Sequence, residues 1–246
     1  MKIWINADDF GFTKSASNAI YECFKNNMIT TTTMCSNGEY FDYAISLIKE
    51  TPYESKIGLH INLTEGKPLT EDIKKCKKIC DENGCFKDFP KRYSHLSKKE
   101  KEIIYLEMEA QYNRLVDAGI IVNHIDSHHH IHNSFRILPL VIRLAKEKGI
   151  HRIRLCRNAG SISFLKKIYK KMMNKKIIKS HCAYTDYMGG IDDLINLEKV
   201  DSACLTEIMV HPDFNCSGEL IDRNNDDYAN PTGLAFDDLK NDYEIL

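Results

Sequence analysis

Histidine and aspartate residues are concentrated at a few places in the sequence, and their spacing suits metal-assisted hydrolysis. Five of the ten histidines fall within nine residues, at positions 124, 128, 129, 130 and 132. A second polar cluster, Asn6-Ala7-Asp8-Asp9, follows a short apolar run, while His60 and His211 stand elsewhere in the chain. Imidazole and carboxylate groups are common ligands of divalent cations, and such a cation can activate water to attack an amide carbonyl.

The adjacent carboxylates of Asp8 and Asp9 can serve different purposes. Consecutive residues at the end of a strand point in different directions, so one can bind a cation while its neighbour accepts a proton. Each signal alone has a simpler explanation. The two aspartates could cap a helix, His60 could be a hydrogen-bonded core residue, and His211-Pro212 could merely end a strand. Their joint occurrence at successive predicted strand ends favours a catalytic site.

The elements that must position these residues follow a βα pattern. Apolar runs alternate with amphipathic helical segments, which is typical of an α/β fold with a mostly parallel sheet. The functional residues of such a sheet lie at the carboxyl ends of its strands. Residues 65–95 are charged and weakly periodic, which predicts an insertion with a short helix at 73–79. Strands are predicted at 3–5, 31–35, 57–63, 120–125, 150–156 and 207–210, and helices at 14–26, 40–50, 96–119, 135–148 and 161–179.

Length and composition favour one soluble domain over residues 1–246. The net charge of −1, from 34 basic and 35 acidic residues, argues against a nucleic-acid partner. No run approaches the roughly 20 apolar residues that cross a bilayer, and no basic-then-apolar leader opens the chain, so no membrane partner is expected. The nine cysteines predict reduced thiols in the cytoplasm. Cys76, Cys80 and Cys85 lack the paired spacing of a zinc ribbon and are interpreted as loop thiols.

Several stretches resemble the YdjC/ChbG-like carbohydrate deacetylase family, which includes chitooligosaccharide deacetylases. The resemblance covers residues 1–215, and the stretches occur in family order. The string from Asp126 to His132, Asp-Ser-His-His-His-Ile-His, is the most specific of them. They are Asn6-Ala7-Asp8-Asp9-Phe10-Gly11, the threonine run leading to Asn37-Gly38, Gly58-Leu59-His60, the stretch from Leu63 to Leu69, the stretch from His124 to His132, and Val210-His211-Pro212.

The resemblance implies a distorted (β/α) barrel-like fold and the metal-dependent removal of acetyl groups from N-acetylated mono- or oligosaccharides. Carried over by position, Asp9, His60 and His128 would be the metal ligands. Asp8 would be the general base, and His211 would be the general acid or a partner to it. The reaction would release acetate and leave a free amine on a small-molecule sugar.

The resemblance extends less specifically to other residues and to the assembly. His130 and His132 are candidates for substrate contact or for orienting ligands, and Arg154 could bind sugar hydroxyls or form a structural ion pair. Family members are described with Mg²⁺ and as homodimers. Ligand chemistry points elsewhere, because two imidazoles and a carboxylate suit Zn²⁺ or another transition metal better than Mg²⁺. The family pattern also continues beyond Leu246, so the C-terminus is expected to be shorter than usual.

Two other functions remain open at this stage. A metal-dependent phosphoesterase on a histidine-rich barrel would use similar groups, although such sites usually open with a His-x-His pair after the first strand. Here that strand is followed by aspartates. A metal-binding or sugar-binding protein without turnover is the second alternative, and the presence of candidate ligands, base and acid together speaks against it.

Overall fold

A computed structural model of the chain describes residues 2–87, 95–182, 185–194, 204–224 and 244–245, the last two and residues 192 and 194 by their backbone only. Six parallel strands form a sheet in the order β4-β3-β2-β1-β6-β5. The sheet curls into a half-barrel flanked by helices, which confirms the predicted α/β, barrel-like class. The strands are β1 (Lys2–Phe10), β2 (Thr31–Met34), β3 (Ile57–Ile61), β4 (Ile125–Ser127), β5 (Tyr187–Gly189) and β6 (Leu205–Val210).

Three short strands complete the described sheets. β7 (Pro212–Phe214) and β8 (Leu220–Asp222) form an antiparallel hairpin directly after β6. The backbone of β9 (Glu244–Ile245) pairs in parallel with Lys2 and Ile3 of β1. The hairpin lies beside the end of β1, and it brings the residue after β8, Arg223, to the carboxyl edge of the sheet.

The five longer helices begin and end close to the predicted positions, whereas the short helix predicted at 73–79 lies at Glu71–Lys74 and the helix Ile191–Leu194 has no predicted counterpart. Thr13 caps α1 by accepting from the Ala16 N–H, and Ser97 and Glu100 form a reciprocal capping box at the start of α4. Two short 3₁₀ segments, Pro52–Lys56 and His128–Asn133, precede β3 and follow β4. The helices are α1 (Lys14–Lys25), α2 (Phe41–Ile48), α3 (Glu71–Lys74), α4 (Lys98–Asp117), α5 (Leu138–Glu147), α6 (Phe164–Lys179) and α7 (Ile191–Leu194).

The central strand β1 shows why the face of the sheet inside the half-barrel is polar. Residues of a strand alternate between its two faces. Ile3, Ile5 and Ala7 belong to the hydrophobic core, whereas the side chains of Asn6 and Asp8 make polar contacts inside the half-barrel. The sequence of β1 therefore places one face against the helices and directs the other toward the site.

The segment 150–159 corrects one predicted strand. It forms a single parallel bridge, between Ile125 and Ile153, rather than a continuous strand. Its backbone contacts both edges of the sheet: the Arg154 N–H donates to the Ile125 carbonyl at 3.0 Å, and the Asn158 N–H donates to the Met188 carbonyl at 3.1 Å. The segment thus spans the gap between β4 and β5, which directs the side chain of Arg154 into the half-barrel.

Two other predictions are adjusted by the structure. The strand predicted at 120–125 begins only at Ile125. The excursion after β3 is anchored to α4, because the buried carboxylate of Glu107 accepts from the backbone N–H groups of Leu69 and Thr70 at 2.8 to 3.1 Å. Residues 88–94 of the predicted insertion lie outside the described residues. Within the described part of the chain, no helix combines the length and apolarity needed to span a bilayer.

Candidate active site

The carboxyl ends of β1, β3, β4 and β6 meet around one cavity of about 240 Å³. Asp8 and Asp9 lie at the end of β1, and His60 lies in β3. His128 and His211 directly follow β4 and β6. The predicted metal ligands and the predicted proton-transfer pair are therefore brought together by the fold. The cavity is lined by Asp8, Asp9, His60, Ser127, His128, His129, His130, His211, Arg223 and Asn224.

The carboxylate of Asp9 is the point where the three predicted metal ligands converge. Its Oδ1 lies 3.2 Å from His60 Nε2 and 2.8 Å from His128 Nδ1. The backbone of Asp9 has a positive φ of 72°, which is uncommon for a residue other than glycine. Such strained residues cluster at functional sites, where the surrounding structure holds them in place. Arg223 Nη2 contacts the other oxygen, Oδ2, at 2.6 Å.

His60 is oriented as a metal-ligating histidine usually is. Its Nδ1 lies 2.7 Å from Asp126 Oδ1, which leaves Nε2 directed at Asp9. A carboxylate behind the ring commonly fixes the orientation of a ligating imidazole. Burial disfavours the charged ring, but Asp126, Asp9 and Asp8 outweigh it and raise the pKa of His60 to about 10. A cation bound to Nε2 would replace the proton on that nitrogen. The ring nitrogen of His60 and the carboxylate of Asp9 are therefore donors that fit a divalent ion.

Asp8 is held by a buried arginine. Arg154 Nη1 and Nη2 contact the two oxygens of Asp8, each at 2.6 Å, and Asn6 Nδ2 donates to Oδ1 at 2.9 Å. Burial raises the pKa of Asp8, but the charge and hydrogen bonds of Arg154 overcome that effect and lower it below the usual range. Arg154 therefore favours the ionised form of the Asp8 carboxylate.

Arg154 lies beneath the cavity and not at its surface. Its side chain is 1% exposed, and it contacts Asp126 Oδ2 at 2.7 Å and Glu207 Oε1 at 2.6 Å in addition to Asp8. Three carboxylates therefore surround one guanidinium. This geometry corresponds to the structural ion pair that was the alternative for Arg154.

His211 faces Asp8 from the opposite wall. Its Nε2 lies 3.9 Å from Asp8 Oδ2, and Asn224 Nδ2 donates to its Nδ1 at 2.9 Å. Because Nδ1 faces Asn224, Nε2 is the ring nitrogen that faces Asp8 and the cavity. A protonated imidazole in this orientation would present its Nε2 proton to the cavity, as a general acid requires.

The two remaining candidate histidines differ in position. His130 lines the cavity, and its Nδ1 is buried without a partner among the described residues. Burial, together with the nearby charge of Arg154, lowers its pKa to about 3, so the ring is neutral. His132 is fully buried and its Nδ1 contacts Ser127 Oγ at 2.5 Å. It is not among the residues that line the cavity.

Comparison with known proteins identifies the family. A model of the YdjC-like protein family matches residues 2–246. This chain belongs to the YdjC-like family. It is 30% identical over 246 residues to a carbohydrate deacetylase of Clostridium beijerinckii, an alignment that covers 98% of this chain and 92% of the relative. It is 39% identical over 147 residues to a carbohydrate deacetylase of Brevibacillus brevis, covering 60% of this chain and 56% of the relative.

A solved structure supports the same grouping for this YdjC-like protein. A protein from Enterococcus faecalis V583, provisionally named for cellobiose-phosphate cleavage, superposes with a TM-score of 0.69 and 26% identity. The match covers 88% of this chain and 82% of the other. The half-barrel described above is therefore shared with a relative whose sequence has diverged widely.

Sequence reasoning missed several residues of this YdjC-like site. Asp126 had no assigned role, yet it contacts both His60 and Arg154. Glu207 is a carboxylate in an otherwise apolar strand, and that contrast was an available signal for an inward-facing group. Arg223 lies in a polar stretch without periodicity, so only the hairpin that carries it reveals its contact with Asp9.

Proposed function

We propose that this chain is a hydrolase that removes acetyl groups from N-acetylated mono- or oligosaccharides. The observation that carries the proposal is the meeting of Asp9, His60 and His128 beside Asp8 and His211, at the floor of an accessible cavity. The names of the curated relatives, carbohydrate deacetylases, support the same substrate class. Hydrolysis breaks the C–N bond of the acetamide and yields acetate and a free amine.

The proposed roles follow from contacts in this chain. Asp9, His60 and His128 would hold a divalent cation, which when bound supplies polarisation of the acetamide carbonyl and acidification of a water. Asp8, kept ionised by Arg154, accepts the proton of the attacking water. His211 donates its Nε2 proton to the amine nitrogen as that nitrogen leaves. Arg154 keeps Asp8 in place throughout.

A larger groove adjoins the cavity and offers space for the sugar. Its volume is about 680 Å³, and it shares His130, His211 and Asn224 with the smaller cavity. Tyr169 and Leu165 give the groove apolar surface, which suits the faces of pyranose rings. A saccharide extending along this groove would place one acetamide beside Asp8 and His211.

Acetate release tests the proposal directly. The purified protein is supplied in turn with Mg²⁺, Zn²⁺ or Co²⁺ and with N-acetylglucosamine or its oligomers, and acetate and free amine are measured. Equal amounts of acetate and amine are expected with at least one ion. Phosphate release from sugar phosphates without acetate release would favour the phosphoesterase alternative, and sugar binding without either product would favour a non-catalytic protein.

The identity of the ion, the assembly and the cellular location are separate parts of the proposal. Family resemblance favours Mg²⁺, while the nitrogen donors of His60 and His128 favour Zn²⁺ or another transition metal. The same resemblance favours a homodimer, which light scattering coupled to size-exclusion chromatography tests. A cytoplasmic location is proposed from cysteine usage, and fractionation of cells tests it.

A further inference from the structure

Cys35 follows β2 and faces the interior of the half-barrel. Alternation along the strand places residues 31, 33 and 35 on one face. Thr31 donates to Asn6 Oδ1 at 2.8 Å and Thr33 donates to Asp126 Oδ2 at 2.9 Å, so this face is the polar inner one. The backbone of Cys35 is fixed, because its N–H donates to the Phe10 carbonyl at 2.8 Å. Its fully buried side chain therefore points where Thr33 points, one step nearer the cation site.

The thiol of Cys35 belongs to a compact donor set with two of the metal-ligand candidates. Cys35 Sγ, a carboxylate oxygen of Asp9 and a ring nitrogen of His60 all lie within 4.8 Å of one another. Within the described parts of the chain, two other sets reach this compactness, and neither contains both Asp9 and His60. A thiol thus lies close to two of the groups that are expected to hold the cation.

The surroundings of Cys35 distinguish it from an ordinary core cysteine. A buried cysteine commonly behaves as a small hydrophobe packed among aliphatic side chains. Here a carboxylate oxygen of Asp9 and a ring nitrogen of His60 lie within 4.8 Å of the sulfur. A sulfur donor next to oxygen and nitrogen donors is instead the composition that selects soft or borderline cations.

We propose that Cys35 donates a thiolate to the same cation as Asp9 and His60, and that the site consequently prefers a thiophilic divalent ion such as Zn²⁺ or Co²⁺ over Mg²⁺. Binding displaces the thiol proton to solvent, with no change of oxidation state. Mg²⁺ prefers oxygen ligands and gains little from a thiolate. The inference concerns the metal donors and goes beyond the proposed deacetylation.

Cobalt spectroscopy tests the proposal without requiring turnover. Full-length protein stripped by a chelator is titrated with Co²⁺, and a near-ultraviolet sulfur-to-cobalt charge-transfer band is expected at one equivalent. The band should disappear in Cys35→Ser, while the visible cobalt bands remain. Cys23→Ser, which removes another fully buried thiol from α1, is the matched control and should keep the band.

Affinity measurements give a second, independent outcome. Cys35→Ser should weaken Zn²⁺ binding by about tenfold or more, the scale on which altered metal environments change affinity, and should leave Mg²⁺ binding within about twofold. A charge-transfer band that persists in Cys35→Ser overturns the proposal. A wild-type protein that binds Co²⁺ without any such band overturns it as well.

X-ray absorption of the wild-type protein covers the case in which Cys35→Ser fails to fold. The zinc-loaded protein should show one sulfur scatterer at about 2.3 Å, and only nitrogen and oxygen scatterers would overturn the proposal. Acetate release from a protein without a sulfur ligand would refute the role of Cys35 alone. A sulfur ligand in a protein that releases no acetate would refute the proposed function alone.

Discussion

Arg154 contacts both carboxylate oxygens of Asp8 at 2.6 Å, although the two residues are far apart in the sequence. The contact exists because the irregular segment 150–159 spans the gap between β4 and β5 and turns the guanidinium inward. The same group contacts Asp126, which in turn holds His60. One arginine thus links the proposed base to a proposed metal ligand.

Replacing this arginine by lysine tests the link. In Arg154→Lys a single ammonium cannot reproduce the planar, bidentate contact with Asp8. Because Arg154 lowers the pKa of Asp8, we expect that pKa to rise, so the acid limb of the kcat profile moves to higher pH. Misplacement of Asp8 should also lower kcat by about 10- to 100-fold with KM little changed.

Arg143→Lys is the matched control, because Arg143 also contacts two carboxylates, at 2.9 Å each, but lies on the outer surface of α5. Its kinetics should equal those of the wild type. An Arg154→Lys enzyme whose acid limb coincides with that of the wild type would show that Arg154 does not hold Asp8 in its ionised state.

Substitution of a proposed metal ligand should abolish cation binding and acetate release while changing stability little. His128→Ala removes a donor that lies 2.8 Å from Asp9 Oδ1, so cation affinity and acetate release should both be lost. The free energy of unfolding of the metal-free protein should change by about 1 kcal/mol or less, since the ring lies at the cavity wall. Calorimetric metal titration and urea unfolding measure the two quantities.

The exposed residue His151 supplies the control for that experiment. His151→Ala should retain both cation binding and turnover. Full acetate release by His128→Ala, with the cation still bound, would remove His128 from the ligand set.

The strands that precede the candidate metal-binding and catalytic residues could be predicted from the sequence, because apolar runs and the polar residues that follow them are local patterns. The meeting of Asp9, His60 and His128 follows from parallel topology alone, which places all strand ends at one edge. The course of 150–159 could not be predicted, since its apolar residues suggest a strand while its hydrogen bonds depend on two distant sheet edges. The position of Arg154 depends on that course.

The inward face of β2 was also beyond sequence reasoning. Thr31, Thr33 and Cys35 suggest only a β-branched strand and its end. Their contacts with Asn6, Asp126 and the cation site depend on the register between β1 and β2, which pairs Asn6 with Thr31. Register is a relation between two segments and leaves no signal in either one alone.

The buried, neutral side chain of His132 should make the stability of the protein depend on pH. His132 Nε2 is buried without a partner among the described residues, and burial lowers the pKa of His132 well below 6.5. The unfolded chain therefore binds more protons than the folded one at pH values below about 6.5. Stability should fall as the solution is acidified through that range, by up to about 1.4 kcal/mol per pH unit for this ring.

Urea unfolding of the metal-free protein at several pH values measures this slope. His132→Asn keeps a polar group near Ser127 but cannot titrate, so its slope between pH 6 and 5 should be smaller than that of the wild type. His151→Asn, at an exposed position, should leave the slope unchanged. Identical slopes for His132→Asn and the wild type would mean that His132 is already charged in the folded protein.

Gly58 in β3 lies against the ring of His124, so a larger residue at position 58 should disturb both the sheet and the site. A Cβ added there would lie 2.5 Å from Cε1 and Nε2 of His124, whose ring also packs at 5.5 Å from that of Trp4. The ring has little room to move, and its Nε2 contacts Asn6 Oδ1 at 3.1 Å. Gly58→Ala should therefore destabilise the protein by about 1 to 3 kcal/mol, as overpacking does, and lower kcat through Asn6 and Asp8.

A double-mutant cycle separates this clash from a general loss of backbone freedom. In Gly58→Ala/His124→Ala the methyl group gains space, so the two destabilisations should sum to more than that of the double variant, by about 0.5 to 3 kcal/mol. Gly190→Ala is the control, since a Cβ there meets no atom within 4 Å in the structure. Strictly additive effects at positions 58 and 124 would show that Gly58→Ala destabilises the protein by reducing backbone freedom. A clash with the His124 ring would disappear when that ring is removed.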